Sequence, residues 1–318
     1  MTNTKYAPIS IPVYVRLREL KNLIESLKKN CEAKYTDLYI FSDAALKKEH
    51  EKPIEKIREY IKSITGFQNI YITYNEVNLG VKNLEAAIEV PLSKEEYIIY
   101  IEEDLIVSKN FLNFMNRALR FYFSEDRVFS VSGYTLPCFK NDYNGRVMFS
   151  NSISFWGSGL WARKYFQEKE NFSDTIALLR LLNKRKLNFC FNNSIKIFLE
   201  THRKLRQGNI TPDIQIGTFM ALKNRIQAFP PQSLVLNTGF ENSVNSWHAI
   251  PTKHFDIKLL SGTEIYMDPN IDDGIISHNN NQIIQYHKKI SVFNISNFLF
   301  YILPIPFFNI IKRLMVRK

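Results

Sequence analysis

The sequence of 318 residues has few cysteines and lacks the glycine-rich loops that hold phosphates in many nucleotide-binding proteins. Its three cysteines, Cys31, Cys138 and Cys190, lie far apart and form neither a CxxC pair nor a zinc-ligand spacing. This excludes a disulfide framework and favours a reducing compartment. Neither GxGxxG nor GxxxxGK[ST] occurs, so the common dinucleotide and P-loop classes are excluded as well. Any bound diphosphate must be held by other groups.

A long hydrophobic run is also missing. The start, "MTNTKYAPIS", has no basic region that leads into an apolar segment, so we expect no cleaved export signal. The apolar stretch "FLFYILPIPFFNII" (298–311) is interrupted by Pro304 and Pro306. It is also shorter than the roughly 20 residues that a bilayer span needs. With 45% hydrophobic and 14% aromatic residues, the chain is expected to be globular.

Acidic residues are absent from the end of the sequence. After Asp273 there is no Asp or Glu, while Lys288, Lys289, Lys312, Arg313, Arg317 and Lys318 all follow it. Apolar residues flanked by cations are typical of a segment that lies in the headgroup region of an anionic leaflet. We therefore expect residues 293–318 to associate with the membrane and the protein to be cytoplasmic, peripheral on the inner face of the cell membrane. The alternative is that this segment packs on the protein's own core.

Positive charge is concentrated in that tail and in one stretch at mid-chain. The net charge is +11, and between Arg180 and Arg206 eight basic residues accompany a single acid, Glu200. This stretch fits either an acidic glycan lipid or a solvated helix face. Because no nucleic-acid recognition module accompanies the charge, we expect no nucleic-acid partner.

The first 135 residues alternate between strand and helix patterns. Strands are predicted at 9–15, 37–43, 69–75 and 97–101, and the segments between them have apolar residues at helical spacing. This alternation predicts an α/β fold with a mostly parallel central sheet and helices on both faces. We divide the chain into 1–135, 136–250 and 251–318.

Polar residues lie at or just after the end of each of the four predicted strands. They are Tyr14 and Arg16, then Ser42 and Asp43, then Asn78, Gly80, Lys82 and Asn83, and finally Glu102, Glu103 and Asp104. The carboxyl ends of parallel strands meet at one edge of a sheet, where ligands bind. Three adjacent carboxylates are costly to bury unless a cation or a polyhydroxyl ligand meets them. We expect Mg²⁺ or Mn²⁺ at Asp104, held together with diphosphate oxygens. A solvated acidic turn is the alternative.

These motifs resemble a known family. Glu102-Glu103-Asp104, with Asn78-Leu79-Gly80 and Ser42-Asp43, resembles the nucleotide-sugar half of a GT-A glycosyltransferase such as N-acetylglucosaminyltransferase I. "SFWGSGLWARKYF" (154–166) and "PDIQIGTFMALKNRIQAFPPQSLVLNTGFEN" (212–242) resemble bacterial family-2-like sugar transferases of the hemolytic-protein-HlpA-like group. The resemblance covers about residues 8–245 and departs from the family at Val15-Arg16-Leu17 and at Pro212.

The resemblance implies a GT-A (Rossmann-like) fold and a nucleotide-sugar donor, with UDP as the expected nucleotide. Asp104 would then ligate the metal, Glu102 would face the ribose or the sugar, and Asp43 would accept a hydrogen bond from the uracil ring. The other donor-site residues would be Tyr14, Arg16, Asn78, Gly80, Lys82, Asn83 and Glu103. His248 is a candidate for the metal shell, and the alternative is a solvated loop histidine.

Asp213 is the candidate catalytic base. Thr211 can cap a helix, Pro212 suits its first position, and Asp213 then lies in the first turn, where the helix dipole favours its charge. That dipole alone also explains an aspartate there. Trp156, Gly157 and Trp161 are assigned to the acceptor site, because tryptophans stack on sugar rings and glycine lets backbone approach a ligand. Core packing is the alternative for both tryptophans.

We therefore expect an inverting, metal-dependent hexosyl- or N-acetylhexosaminyltransferase. Its acceptor would be a glycan or glycolipid in bacterial surface polysaccharide synthesis, as in lipopolysaccharide or capsule. Two alternatives are a metal-independent or retaining transferase on the same fold and a non-catalytic membrane-associated binding protein.

Overall fold

A computed structural model describes residues 5–139, 145–187, 189, 195–208, 210–239 and 264–290. Within these residues, ten strands form a mixed sheet of eight strands and a second sheet of two. The strands are β1 Ile9–Val13, β2 Leu38–Ser42, β3 Ile70–Tyr74, β4 Tyr97–Tyr100, β5 Leu105–Val107, β6 Val128–Ser132, β7 Met148–Ser150, β8 Ser158–Trp161, β9 Ile226–Phe229 and β10 Val235–Asn237.

The α-helices of the described residues surround the sheet. They are α1 Leu17–Lys28, α2 Glu51–Lys62, α3 Val81–Leu92, α4 Phe111–Phe121, α5 Ala162–Ser173, α6 Thr175–Lys184, α7 Ile195–Gln207, α8 Pro212–Leu222 and α9 Asp273–Ile290. One core cluster packs α1, α2 and α4 against the sheet, and another packs α3, α5, α6 and α8 against it. The molecule is therefore an α/β protein, as the alternating pattern predicts.

The first half of the sheet has the predicted parallel arrangement. Strands lie in the order β3-β2-β1-β4, and β1 pairs in parallel with both β2 and β4. All five residues of β1 are buried, and α1 covers the sheet with Leu20, Leu23, Ile24 and Leu27. The chain leaves β1 towards β2 and later returns to the opposite side of β1 as β4. This reversal of strand order opens a crevice between the carboxyl ends of β1 and β4.

The second half of the sheet is mixed, so the predicted parallel arrangement holds throughout only in the first half. Strand β8 pairs antiparallel with β4 and β6, and β7 pairs antiparallel with β9. Only β6 and β9 are parallel to each other in this half of the described sheet. The antiparallel pairing of β8 with β4 joins Tyr97 to Trp161 and Tyr100 to Ser158. Because these partners are distant in sequence, local periodicity does not reveal their direction.

A further difference concerns the chain after the acidic residues. Between Asp104 and the next helix the chain forms the short strand β5, which local patterns did not predict, and β5 pairs antiparallel with β10. Helix α4 begins only at Phe111, and Phe111, Met115 and Leu119 are buried as the helical spacing predicts. Strand β5 matters for the site because it brings the end of β10 alongside Asp104.

No helix among the described residues is long and apolar enough to cross a bilayer. The predicted membrane-associating segment 293–318 and His248 lie outside the described residues.

Candidate active site

A cavity of about 470 Å³ lies at the carboxyl ends of β1, β2 and β4. Its wall includes nine of the residues assigned to the donor site from the sequence: Tyr14, Arg16, Asp43, Asn78, Gly80, Asn83, Glu102, Glu103 and Asp104. Pro12, Val13, Leu46 and Leu84 complete it. Lys82 is exposed and does not line this cavity, in contrast to its assignment. We call this the first cavity.

Asp43 has a structural role in the protein, and its predicted contact with uracil stays a prediction. Its Oδ1 accepts from the backbone N–H of Leu79 at 2.9 Å and its Oδ2 from that of Gly80 at 2.8 Å. The side chains of Asn75 and Asn78 and the backbone of Ala44 donate to it as well. Both carboxylate oxygens are therefore used within the protein. Asp43 therefore fixes the loop before α3 at the wall of the first cavity.

Arg58 holds the ends of β2 and β3 together, and the sequence analysis missed it. Its guanidinium donates to the carbonyl of Asn75 at 2.7 Å and to those of Ser42 and Asp43 at 3.4 Å. It also lies over the ring of Tyr74. The one signal in the sequence was its place beside the apolar stripe of α2. Its backbone partners could not be read from the sequence.

Glu103 joins the end of β4 to the end of β1. The backbone N–H of Tyr14 donates to its Oε2 at 2.7 Å. Burial raises the pKa of Glu103 to about 7, and the hydrogen bond from Tyr14 opposes that rise. The hydroxyl of Tyr14 lies 2.6 Å from Nδ1 of His50, a histidine that the sequence analysis did not single out. Glu103 and Tyr14 therefore position the crevice walls.

Asp104 lies at the centre of the first cavity, and its two carboxylate oxygens have different surroundings. Oδ2 is paired with the guanidinium of Arg16. Oδ1 is buried and has no hydrogen-bond partner among the described residues. Burial raises the pKa of Asp104, and the charge of Arg16 opposes that rise. An unpartnered buried carboxylate oxygen is costly unless a ligand binds it.

The end of β10 closes one side of Asp104. Both the backbone N–H and the hydroxyl of Thr238 donate to the carbonyl of Asp104 at 2.9 Å. A side chain at Gly239 would overlap Oδ2 of Asp104 and come within 3.0 Å of Arg16. The Asn-x-Gly segment Asn237–Gly239 is thus fitted against the carboxylate. Neither Thr238 nor Gly239 was assigned to the site from the sequence.

The residues present suit a divalent cation that is coordinated by one protein oxygen and otherwise by a bound substrate and water. Within the described residues, no cluster of three or more His, Cys, Asp or Glu side chains is arranged around one point. Asp104 offers one free oxygen. Mg²⁺ is commonly bound by one or two carboxylates, substrate phosphates and waters, so a single oxygen at this position suits that mode of binding.

A second cavity of about 420 Å³ adjoins the first and shares Leu84 and Glu102 with it. Its other lining residues are Tyr100, Phe155, Trp156, Thr211, Pro212 and Asp213. Burial raises the pKa of Glu102 to about 8, and the negative charges of Asp104 and Asp213 add to this rise. Glu102 therefore lies between the proposed metal ligand on one side and Asp213 on the other.

Asp213 lies in the first turn of α8 and is exposed to the second cavity. Pro212 occupies the start of the helix, as predicted. Thr211 does not cap the helix with its side chain, which contradicts the prediction. Its backbone carbonyl accepts instead from Ile214 at 3.1 Å and Gln215 at 3.3 Å. The position of the Asp213 carboxylate is therefore set by the start of α8, and the side chain is exposed in the second cavity.

The two tryptophans have different environments. Trp156 lines the second cavity and packs edge-on against Tyr134, with ring centroids 4.5 Å apart. Trp161 is 1% exposed, and its indole N–H donates to the carbonyl of Leu119 at 2.9 Å. The acceptor assignment of Trp161 is therefore wrong, because its ring and its donor are both used in the core.

Gly157 is required by the fold and is not among the residues that line either cavity. Its φ is +69°, in the region that favours glycine. A Cβ there would lie 2.9 Å from Phe111 and 3.1 Å from Val235. The predicted acceptor role of Gly157 is therefore replaced by a packing role.

Comparisons with known proteins give partial structural similarities. No protein-family profile matches the chain, and no curated protein matches it by sequence. A mannosyltransferase PcManGT from Pyrobaculum calidifontis in complex with GDP-Man and Mn²⁺ is similar over 54% of this chain and 47% of its own, with 9% identity and a TM-score of 0.36.

Two further solved structures are similar in part. S. aureus TarS 1-349 in complex with UDP-GlcNAc is similar over 78% of this chain and 63% of its own, with 12% identity and a TM-score of 0.42. GalNAc-T7 with UDP, GalNAc and Mn²⁺ is similar over 52% of this chain and 37% of its own, with 16% identity and a TM-score of 0.37. The chain thus spans less than two thirds of the length of each of these structures.

Proposed function

We propose that the protein is a glycosyltransferase that transfers one sugar from a nucleotide-sugar, a UDP-sugar in the first instance, to a glycan or glycolipid acceptor. The observation that supports this proposal most directly is the pair of adjoining cavities where the strand order of the sheet reverses. One contains a buried carboxylate oxygen without a partner, and the other contains an exposed aspartate. A donor with a diphosphate in the first cavity would present its sugar to the second.

In the first cavity, Arg16 supplies the positive charge that the protein itself offers to a diphosphate. Its guanidinium is partly exposed, with 32% of the side chain accessible, while it pairs with Asp104. A guanidinium can bind two phosphate oxygens in parallel, which suits this position. Asp104 would hold the divalent cation through Oδ1. When bound, that ion would neutralise negative charge that develops on the leaving diphosphate.

In the second cavity, Asp213 is placed to accept the proton of the acceptor hydroxyl. Asp213 lines the second cavity while the diphosphate would lie in the first. This favours inversion, in which the attacking hydroxyl approaches from the side away from the diphosphate. Trp156 offers an apolar face for the acceptor sugar. Glu102 lies between the cavities, where it can accept hydrogen bonds from the transferred sugar when ionised.

One observation favours a second candidate, a metal-independent transferase on the same fold. Arg16 already pairs with Asp104, so the site contains a cation of its own. In that case Arg16 would remain on Asp104 and the diphosphate would bind its outer face. The metal dependence of donor binding separates the two candidates.

The cellular role is part of the proposal. The cationic, acid-free end of the chain supports a peripheral position on the cytoplasmic face of the cell membrane. A transferase at that location would build a lipid-linked surface polysaccharide such as lipopolysaccharide or capsule.

The proposed activity is tested by incubating the protein with a panel of nucleotide sugars and Mn²⁺ and measuring nucleoside diphosphate release. We expect one donor to be turned over, and Asp213→Asn to bind that donor normally while its transfer rate falls by about 10²-fold to 10⁴-fold. Asp174→Asn, at the start of α6, is the matched control and should keep its transfer rate. Full transfer by Asp213→Asn would remove Asp213 from the mechanism.

A further inference from the structure

Helix α6 presents an outer face that combines exposed apolar side chains with cations. Ile176 is 63% exposed on the helix, and Leu187, just beyond its end, is 77% exposed. Arg180 and Lys184 follow Ile176 at intervals of four residues and are exposed as well. Residues four apart lie on the same face of a helix, which groups Ile176, Arg180 and Lys184. Leu187 follows the end of α6 and is included because it is exposed close to them in sequence. We call these four residues the α6 surface.

The opposite face of α6 is fixed to the protein. Leu178 and Leu182 are buried, and α6 packs against α8. Just after the helix, Arg185 donates to the carbonyl of Leu222 at 2.7 Å, at the end of α8. The α6 surface therefore points outward because its orientation is set by packing on the other side.

The cations of this surface have no acidic partner among the described residues. From Thr175 to Leu187 the sequence contains four basic residues, Arg180, Lys184, Arg185 and Lys186, and no acid. In the described part of the chain, no ion pair joins Arg180, Lys184 or Lys186 to a carboxylate. By contrast, Lys204 on the neighbouring helix α7 pairs with Glu200. The α6 surface is thus free to meet an anionic partner.

We propose that the α6 surface binds the surface of an anionic lipid bilayer. Large aliphatic side chains flanked by cations suit the boundary between headgroups and acyl chains, where the apolar groups enter and the cations contact anionic headgroups. A nucleic acid would use the cations but would leave Ile176 and Leu187 exposed to water. The combination of both residue types is the reason for choosing the bilayer.

This surface is related to the candidate active site through α8. The helix that packs on the inner face of α6 carries Asp213 in its first turn. A helix layer is roughly 10 Å thick, so α6 would separate a bilayer docked on its outer face from α8 by about that thickness. An acceptor with a lipid tail could then reach the cavity while its tail stays in the membrane. The proposal itself does not depend on the reaction.

The test is co-sedimentation of the full chain with vesicles of phosphatidylcholine, alone or with about 30% phosphatidylglycerol. We expect binding only to the anionic vesicles. Arg180→Ser with Lys184→Ser should weaken the partition coefficient by about twentyfold to thirtyfold, since each cation near the surface contributes about fivefold. Lys52→Ser with Lys56→Ser, two exposed lysines on α2, removes the same charge elsewhere and should have little effect.

The contribution of the apolar side chain of Ile176 to vesicle binding is tested separately. Ile176→Ser should weaken binding by about tenfold, whereas Ile275→Ser, at an isoleucine that is 46% exposed on α9, should not. Hydrogen exchange of the full chain should show slower exchange at residues 175–187 with anionic vesicles. Equal binding of the α6 and control variants would overturn the proposal and assign membrane binding to another segment. Retention on heparin without binding to anionic vesicles would overturn it as well.

Discussion

Asp104 shows at the scale of a single residue how the site combines stability with a binding function. One of its oxygens is paired with Arg16, and the other is buried without a partner in the described chain. Burial raises the pKa of this carboxyl group, and Arg16 partly offsets the cost. A divalent ion at Oδ1 would compete with the Arg16 guanidinium for the same carboxylate. Arg16 is therefore expected to weaken metal binding in the absence of a diphosphate.

Replacing Arg16 tests this competition directly. We expect Arg16→Gln to bind Mn²⁺ about fivefold or more tightly without nucleotide, because removing a nearby cation makes Asp104 a stronger ligand. The same change should weaken binding of UDP. Titration calorimetry with Mn²⁺ alone and with UDP measures both effects. Arg18→Gln is the matched control, since Arg18 is on the outer side of α1 and pairs with Glu19. Unchanged Mn²⁺ affinity in Arg16→Gln would contradict the competition.

The two tryptophans provide a second residue-scale prediction. Trp156→Ala should raise the KM for the acceptor, because its ring lines the second cavity, and should lower the melting temperature modestly, because its contact with Tyr134 is lost. Trp161→Phe should lower stability by about 1 to 3 kcal/mol, because the carbonyl of Leu119 loses its buried partner. Thermal unfolding and acceptor kinetics of both variants separate the roles. A normal acceptor KM in Trp156→Ala would exclude it from the acceptor site.

The residues that lie at the site were easier to predict from the sequence than the hydrogen-bond partners of those residues. The acidic residues could be located because they follow an apolar strand directly. Most of the residues assigned to the donor site line one cavity. The structural role of Asp43 was not predicted because its partners, Leu79 and Gly80, come from a loop after the next strand. Trp161 was misassigned because the sequence does not distinguish a tryptophan with a buried hydrogen-bond acceptor from one that faces a ligand.

At the scale of elements, the end of β10 is the part most closely fitted to the acidic site. Gly239→Ala should displace Asp104 and Arg16, since the added methyl group would overlap the carboxylate. We expect at least tenfold weaker Mn²⁺-dependent UDP binding with the fold retained, measured by calorimetry and circular dichroism. Gly274→Ala at the start of α9 meets only Asp272 at 3.0 Å and is the control. Normal UDP binding by Gly239→Ala would show that this segment does not shape the site.

Lys164 on α5 makes the turn between α4 and β6 sensitive to pH. Its ammonium donates to the carbonyls of Tyr122, Glu125 and Val128 at 2.7 to 2.9 Å. Burial lowers the pKa of Lys164 to about 7 from an ordinary value of 10.5. Between these values the unfolded chain binds more protons than the folded chain, so this residue makes stability rise with pH. Below about pH 7 both states are protonated, and the cost of burying the charge is largest.

The prediction is measured by urea unfolding of the wild type and Lys164→Met between about pH 7 and pH 9.5. We expect the stability of the wild type relative to the variant to increase across this range. Lys169→Met, at a lysine on α5 that pairs with Glu89, should show little of this trend. A difference between wild type and Lys164→Met that is constant or falls with pH would contradict the assigned shift.

The elements that follow local periodicity were predicted well, and the pairing of distant strands was not. Strands β1 to β4 and helices α1 to α3 lie where alternating apolar patterns place them. The antiparallel insertion of β8 beside β4 and the pairing of β5 with β10 depend on contacts across much of the chain. Such contacts leave no repeating signal in the sequence, so the mixed sheet could not be predicted.

At the scale of the whole molecule, the first cavity, the second cavity and the α6 surface lie one after another. The first cavity opens at the strand-order reversal, and the second cavity adjoins it through Glu102. Helix α8 carries Asp213 at the wall of the second cavity, and α6 covers α8 from outside. The arrangement suits transfer from a soluble donor to an acceptor held at a membrane. Each of these three parts has its own test, so failure of the membrane proposal would leave the donor-site proposal unaffected.

The central claim is that Asp104 and a divalent ion together hold a nucleoside diphosphate in the first cavity. Calorimetric titration of UDP into wild type and Asp104→Asn, each with Mn²⁺ and with EDTA, tests it most directly. We expect wild type to bind UDP at least tenfold more tightly with Mn²⁺ than with EDTA, and Asp104→Asn to bind equally weakly in both. Equal UDP affinity of the wild type with Mn²⁺ and with EDTA, or undiminished Mn²⁺-dependent binding by Asp104→Asn, would contradict the claim.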